Sequence, residues 1–272
     1  KNWNWSVGFN LSHNKNMLRK TYNGEDLNDK VLGRPVYGIY TFKDEGIVQK
    51  EEDIPMYPNA SGKQIPLYFQ SINNPLRVGG RKIKDQNYDG VIDDKDLYYA
   101  GSTLPAVYGG LNSHLEWKGL SFDVLFSYTI SRKVMNMYKN STFTFTKDFG
   151  VIMNYFHAND FWTTSNRDAK YPSLEFADKD YVGQFDGNVD SNIENISFLR
   201  LKQLVIGYQL PKNWLKGSFI KDANIYLSGE NLFLITNYSG VDPEVINPYS
   251  GKDDGTQYPL NRKVTLGLNL KF

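Results

Sequence analysis

The chain has 272 residues, with 31 Lys and Arg against 30 Asp and Glu, and the resulting net charge of +1 argues against nucleic acid or a strongly charged surface as partner. There is no cysteine, which excludes disulfides and thiolate metal sites. No apolar run approaches the ~18 residues of a membrane helix. Mean hydropathy is −0.52, a soluble value by the usual reading. A transmembrane β-barrel gives the same value, because its lumen face and its loops are polar.

Asn2–Ser12 places Trp3, Trp5, Val7, Phe9 and Leu11 on one face, and Asn4, Ser6, Gly8, Asn10 and Ser12 on the other. That is the two-residue period of a strand. The chain starts in mid-strand, so a longer polypeptide is expected. A long polar stretch, His13–Leu104, follows, punctuated by Gly33, Pro35, Pro55, Pro58, Pro66, Pro75, Gly79 and Gly80, with a short strand expected at Val36–Phe42. Ala106–Trp117 alternates again through Val107, Leu111, Leu115 and Trp117, and Lys118-Gly119 alone separates it from Leu120–Ile130. Two alternating runs joined by so small a turn predict a hairpin.

Ser131–Asn195 is a second irregular stretch, with a short helix expected near Asn159–Trp162. Phe198–Leu210 is a strand whose apolar set changes face near Lys202-Gln203, which predicts a β-bulge. A turn holding Pro211 and Gly217 leads to a strand at Ala223–Ile235, then a third loop, Thr236–Arg262. In the last strand, Lys263–Phe272, Val264, Leu266, Leu268, Leu270 and Phe272 alternate with polar residues and glycine over about the ~9–11 residues that cross a bilayer.

Six long strands are thus linked alternately by short turns and very long loops. The expected fold is all-β, an antiparallel transmembrane β-barrel segment with long extracellular loops, because outer-membrane barrels segregate their connections by length in this way. If the last strand ends on the periplasmic side, parity puts Lys118-Gly119 and Pro211–Lys221 there and the three long stretches outside. A water-soluble sandwich would instead turn the rows of Trp3, Val7, Phe122, Phe126, Leu266 and Leu270 inward.

The sharpest chemical pattern is Asp85–Asp96, DQNYDGVIDDKD. Asp85, Asn87 and Asp89 fall at positions 1, 3 and 5 of a calcium loop, Gly90 at the sharp turn, the Val91 carbonyl at 7, and Asp93 and Asp96 at 9 and 12. A hard cation needs several oxygens around one point, and this spacing supplies them; the ion would be a structural Ca2+. The same residues can equally form an Asx-rich turn with no ion. His13, His114 and His157 lack metal-ligand spacing. No nucleophile, phosphate-loop or metalloprotease motif is present, so no enzyme is expected. Trp162 and Tyr171 in the second loop, with Tyr249 and Tyr258 in the third, can stack on sugar rings or pin the loops to one another.

Several stretches together are similar to one family. ISFLRLKQLVIGYQLP (Ile196–Pro211), SGENLF (Ser228–Phe233) with Tyr238–Gly240 and Asp242–Glu244, and YPLNRKVTLGLNLKF (Tyr258–Phe272) resemble the carboxy-terminal part of SusC/RagA-type TonB-dependent outer-membrane transporters. Gly33–Asp53, Lys84–Gly101 and Phe161–Pro172 fit the same family in the same order. The resemblance implies a barrel of about 22 strands, with all of residues 1–272 forming its carboxy-terminal wall and residues 85–96 a calcium-type loop within an outer loop. It also implies a plug and a TonB box, which this chain lacks, so the rest of the transporter is an expected partner. Further expected partners are a SusD-like surface lipoprotein, the TonB complex acting through the plug, an oligosaccharide or peptide substrate, and the lipid of a Gram-negative outer membrane. The competing reading is a secreted, soluble, calcium-stabilised carbohydrate-binding β protein.

Overall fold

The computed structural model describes residues 3–27, 30–137, 157–177, 183 and 188–272. The long strands form one antiparallel sheet in chain order: β1 (Trp3–Ser12), β2 (Val107–Trp117), β3 (Leu120–Asn136), β4 (Ile193–Gln209), β5 (Asp222–Glu230) and β6 (Lys263–Lys271). Two short strands complete it, Leu234–Thr236 against β4 and Lys252–Asp253 in parallel against β3. No helix among the described residues is long and apolar enough to cross a membrane.

Register decides what each face carries. Trp5, Leu115, Phe122, Ile206, Leu227 and Leu266 stand opposite one another across the whole sheet. The neighbouring row runs Ser6, His114, Asp123, Val205, Ser228 and Thr265. A slip of one residue in any pair would mix the two sets, so the alternation read along each strand is also what fixes the pairing. The apolar face is bare: Leu266 is 75% exposed, Leu268 58% and Leu270 40%, with no second sheet over them among the described residues. The sandwich reading requires these rows to be covered, and they are not.

The β2–β3 hairpin turns on Lys118 (φ 49°) and Gly119 (φ 89°), the two positive φ values that match a tight turn to the twist of its strands. The expected bulge is present. Leu125 pairs with Gln203 and Phe126 with Leu201, so Lys202 is the extra residue. β5 breaks at the same height. Its last pair is Glu230 with Gln203, and the next strand begins with Leu234 against Arg200. Asn231 (φ 52°) makes the step, its amide bonded to the Lys202 carbonyl at 3.1 Å. The single strand expected over Ala223–Ile235 is therefore two, because three residues (231–233) stand there against two on β4, Leu201 and Lys202, and interrupt the ladder.

Other boundaries also differ from expectation. β3 runs on to Asn136 and β4 starts at Ile193, several residues beyond the alternating core of each. Over those extensions the loops cover both faces, so Val134 and the adjacent Met135 are both 0% exposed and the period of two disappears. Only Gly38–Thr41 of the strand expected at Val36–Phe42 forms, paired with Tyr98–Ser102. The helix expected near Asn159 is one 3-10 turn, Ala158–Asp160. Much of the second long stretch (138–156, 178–182 and 184–187) lies outside the described residues.

The short turns sit at one end of the sheet and the long connections at the other. The first long stretch folds into a body with its own core, in which Val48, Ile54, Leu67, Phe69, Leu76, Ile83 and Ile92 close around Val189 from the stretch before β4. A second cluster of Val134, Ile196, Tyr238 and Ile246 joins the strand tops to the third loop.

Candidate functional site

The loop end is held together by polar ties between segments far apart in sequence. Asp190, in the 3-10 turn before β4, takes Lys43 at 2.6 Å, the Tyr98 hydroxyl at 2.7 Å and the Asp44 amide at 2.9 Å. Burial works against its ionised form, yet these donors hold its carboxyl below the ordinary carboxylate range. Beside it, Asp44 accepts from the buried Arg81 guanidinium and, at 2.6 Å, from the Ser191 hydroxyl. Loop one is thus locked onto the segment entering β4.

Two arginines on the wall hold the third loop. Arg132 at the top of β3 donates to the Thr103 carbonyl at 2.9 Å, the Pro243 and Ile246 carbonyls at 3.3 Å, and the Asn247 carbonyl at 3.4 Å. A guanidinium carries five N–H donors in a rigid fork, so one side chain can gather carbonyls from two loops. Arg200 on β4 meets Asp242 and Glu244, both in the motif stretch Asp242–Glu244, and Lys202 reaches Glu244 at 2.8 Å. Asp242 also accepts the Glu244 and Leu260 amides at 3.0 and 3.1 Å. The side chains of Arg200 and Asp242 are nearly fully buried, so neither could stand there alone. Sequence reasoning reached these residues only as parts of a resemblance. The available signal was an arginine on the polar face of an otherwise alternating strand, with an acidic pair downstream.

The Asp85–Asp96 loop closes on its own amides. Asp85 accepts from Tyr88 at 2.7 Å and Gly90 at 2.8 Å, Asn87 from Asp89 at 3.0 Å, and Asp89 from Val91 at 3.0 Å. Asp93 accepts from Lys95 at 2.8 Å, while Asp96 takes the Gln86 and Asp93 amides at 2.8 and 2.9 Å. Gly90 (φ 82°) turns beneath the Tyr57 ring, leaving no room for a Cβ. Burial, with Asp85 and Asp89 nearby, raises Asp96 above the usual carboxylate range against the pull of its two amides. Burial and the neighbouring Asp85 push Tyr57 up to about 12. Among the described residues no group of three or more His, Cys, Asp or Glu side chains is arranged to hold a metal ion, and Asp85, Asp89, Asp93 and Asp96 each accept backbone amides.

The four aromatic candidates separate. Trp162 is buried, its indole N–H bonded to Gln49 at 3.0 Å and its ring laid on Gly79. Tyr171 packs on Phe161 with centroids 5.8 Å apart. Trp162 thus pins the second loop to the first, whereas Tyr171 packs within the second. Tyr249 (66% exposed) and Tyr258 (91%) present their rings to solvent. Of the histidines, His114 lies on the polar face of the sheet beside Asp123 (2.5 Å) and Glu116 (3.3 Å), while His13 contacts the Ala106 carbonyl.

No family model matches the chain. It is 29% identical over its whole length to the TonB-dependent receptor P26 of Formosa agariphila, covering 27% of that protein. It is 25% identical, again over its whole length, to the TonB-dependent receptor SusC of Bacteroides thetaiotaomicron, covering 25% of it. The chain therefore spans about a quarter of the length of the curated relatives it matches. Its fold matches the solved RagAB peptide transporter with a TM-score of 0.68 at 24% identity, over all of this chain and 28% of that one.

Proposed function

We propose that this chain is a SusC/RagA-like segment of a TonB-dependent outer-membrane receptor, and that it supplies carboxy-terminal wall and outer rim to an importer of oligosaccharides or peptides. The observation that carries this reading is the register: six strands share one apolar row while the described parts of the long loops gather at one end. In hydrocarbon every backbone polar group must be paired, so a wall of this kind needs further strands beside β1 and β6. The remainder of the receptor provides them in this proposal, together with a plug that the TonB complex acts upon. The loop end, outside the cell, carries the substrate contacts and the seat of a SusD-like lipoprotein.

No covalent step belongs to this chain, and its relatives are receptors rather than enzymes. The part proposed for the Asp85–Asp96 loop is architectural. Calcium titration of the complete receptor reads the ion directly, since a site formed only in the folded state raises Tm. A rise assigns Asp85, Asn87, Asp89, Val91, Asp93 and Asp96 as ligands; an unmoved Tm leaves the amide-filled turn as the loop's whole content.

The test of the main reading is fractionation of cells carrying the complete gene product. The receptor is expected in the outer membrane after washes with high salt and carbonate. Release by salt alone would refute the membrane wall.

A further inference from the structure

The turn between β4 and β5 concentrates charge of one sign. From Asn195 to Lys221 the chain has no acidic residue, while Lys212, Lys216 and Lys221 follow one another around the turn. All three are exposed, and none joins an ion pair among the described residues. The first acid beyond them, Asp222, is engaged by the Gln209 side chain. The near-neutral total of the whole chain hides this local excess.

Bare rings stand among these lysines. Trp214 is 71% exposed and Phe219 78%. Phe219 stacks on Phe272, with centroids 5.5 Å apart and planes 12° from parallel. By the alternation of β6, Phe272 continues the row of Leu266, Leu268 and Leu270, so Phe219 extends the apolar face past the end of the wall. The backbone beneath is fixed. The Trp214 amide donates to the Pro211 carbonyl at 2.9 Å, Ser218 to Leu215 at 3.1 Å, and Lys221 to Lys271 of β6 at 2.7 Å. A turn tied in this way has little ordering left to oppose binding.

We propose that residues 211–221 form a binding surface for anionic phospholipid headgroups, in the leaflet at the end of the wall that carries the short turns. Trp214 and Phe219 rest at the boundary between acyl chains and headgroups, where aromatic rings settle. Lysine stems lie along the same apolar surface and carry their ammonium groups out to phosphate. A zwitterionic headgroup offers that phosphate too, but its own cation offsets the attraction, so the lysines select for net negative lipid. The continuity of Phe219 with the lipid-facing row favours lipid over a soluble acidic protein, which would satisfy the lysines and leave that row bare. The inference rests on the membrane-wall reading and adds a lipid preference to it.

The test places the complete receptor in nanodiscs of palmitoyl-oleoyl phosphatidylglycerol, or of phosphatidylcholine with the same chains, and follows hydrogen exchange. Exchange over 211–221 is expected to be at least about threefold slower in phosphatidylglycerol. Lys212→Gln, Lys216→Gln and Lys221→Gln together should bring the two lipids within about 1.5-fold of each other, and about 0.5 M salt should do the same to the wild type. Lys63→Gln, in the first long loop, should leave the difference intact. Trp214→Ala should speed exchange in both lipids alike. Equal exchange of the wild type in the two lipids, or a difference that survives loss of the three lysines, overturns the headgroup surface while the wall reading stands. The wall itself falls only if the receptor leaves the outer-membrane fraction.

Discussion

In the wall, Leu266 and Leu268 stand bare on a sheet whose backbone is paired strand to strand; in the loop body, Leu67 and Leu76 are sealed among their own neighbours. The wall keeps its polar residues on the opposite face, whereas the loop body places charges such as Asp44 and Arg81 inside and matches them. Both arrangements obey the same rule, that apolar surface leaves water and buried polar groups find partners. They differ in the solvent assumed. The wall needs a medium of hydrocarbon to cover it, and the loop body supplies its own.

The largest effect expected is at the seam between the two. Arg200→Ala leaves Asp242 buried without its cation and should cost about 3–5 kcal/mol. Limited proteolysis should then cut within 237–262 while the wall still assembles. If the third loop stays protected, the seam does not depend on the pair.

A charge on the bare face comes next. Leu268→Arg should cost ~2–4 kcal/mol in assembled receptor at mid-bilayer depth, against little for Asn269→Arg on the other face. Urea unfolding in liposomes measures both, and equal penalties would erase the distinction between the faces. Leu67→Ala should cost a similar ~2–5 kcal/mol, but within the loop body alone. Hydrogen exchange should rise over 48–92 with β6 unaffected.

The smallest effect is electrostatic. Asp190 has a depressed folded pKa, so its contribution is present above the ordinary carboxylate range near pH 4 and is lost as pH falls through the lower folded value. Loop-one protection should therefore weaken at strongly acidic pH, and Asp190→Asn should flatten that dependence. An unchanged acid profile in the variant would remove Asp190 from the tie.

Legibility followed the same division. The strands of the wall could be read directly because one face meets an apolar phase and the other a polar one. The alternation of Val264, Leu266, Leu268 and Leu270 with Thr265, Gly267 and Asn269 therefore survives along the whole of β6. The Lys202 bulge was legible for the same reason, as a slip in that alternation. Val134 and Met135 were not, being covered on both sides. Among the site residues, the spacing of Asp85, Asn87 and Asp89 announced a tight loop. That their oxygens hold amides could be seen only in the fold.

The sequence by itself determined the six long strands, their faces, the turn at Lys118-Gly119 and the family likeness, because these depend on near neighbours and on period. Tertiary structure alone decided that Arg132 gathers carbonyls from two loops, that Trp162 is packed and Tyr249 open, and that the first loop has a core. Those depend on residues distant in sequence, such as Arg132 and Ile246, whose meeting is set by how the strands below them are registered.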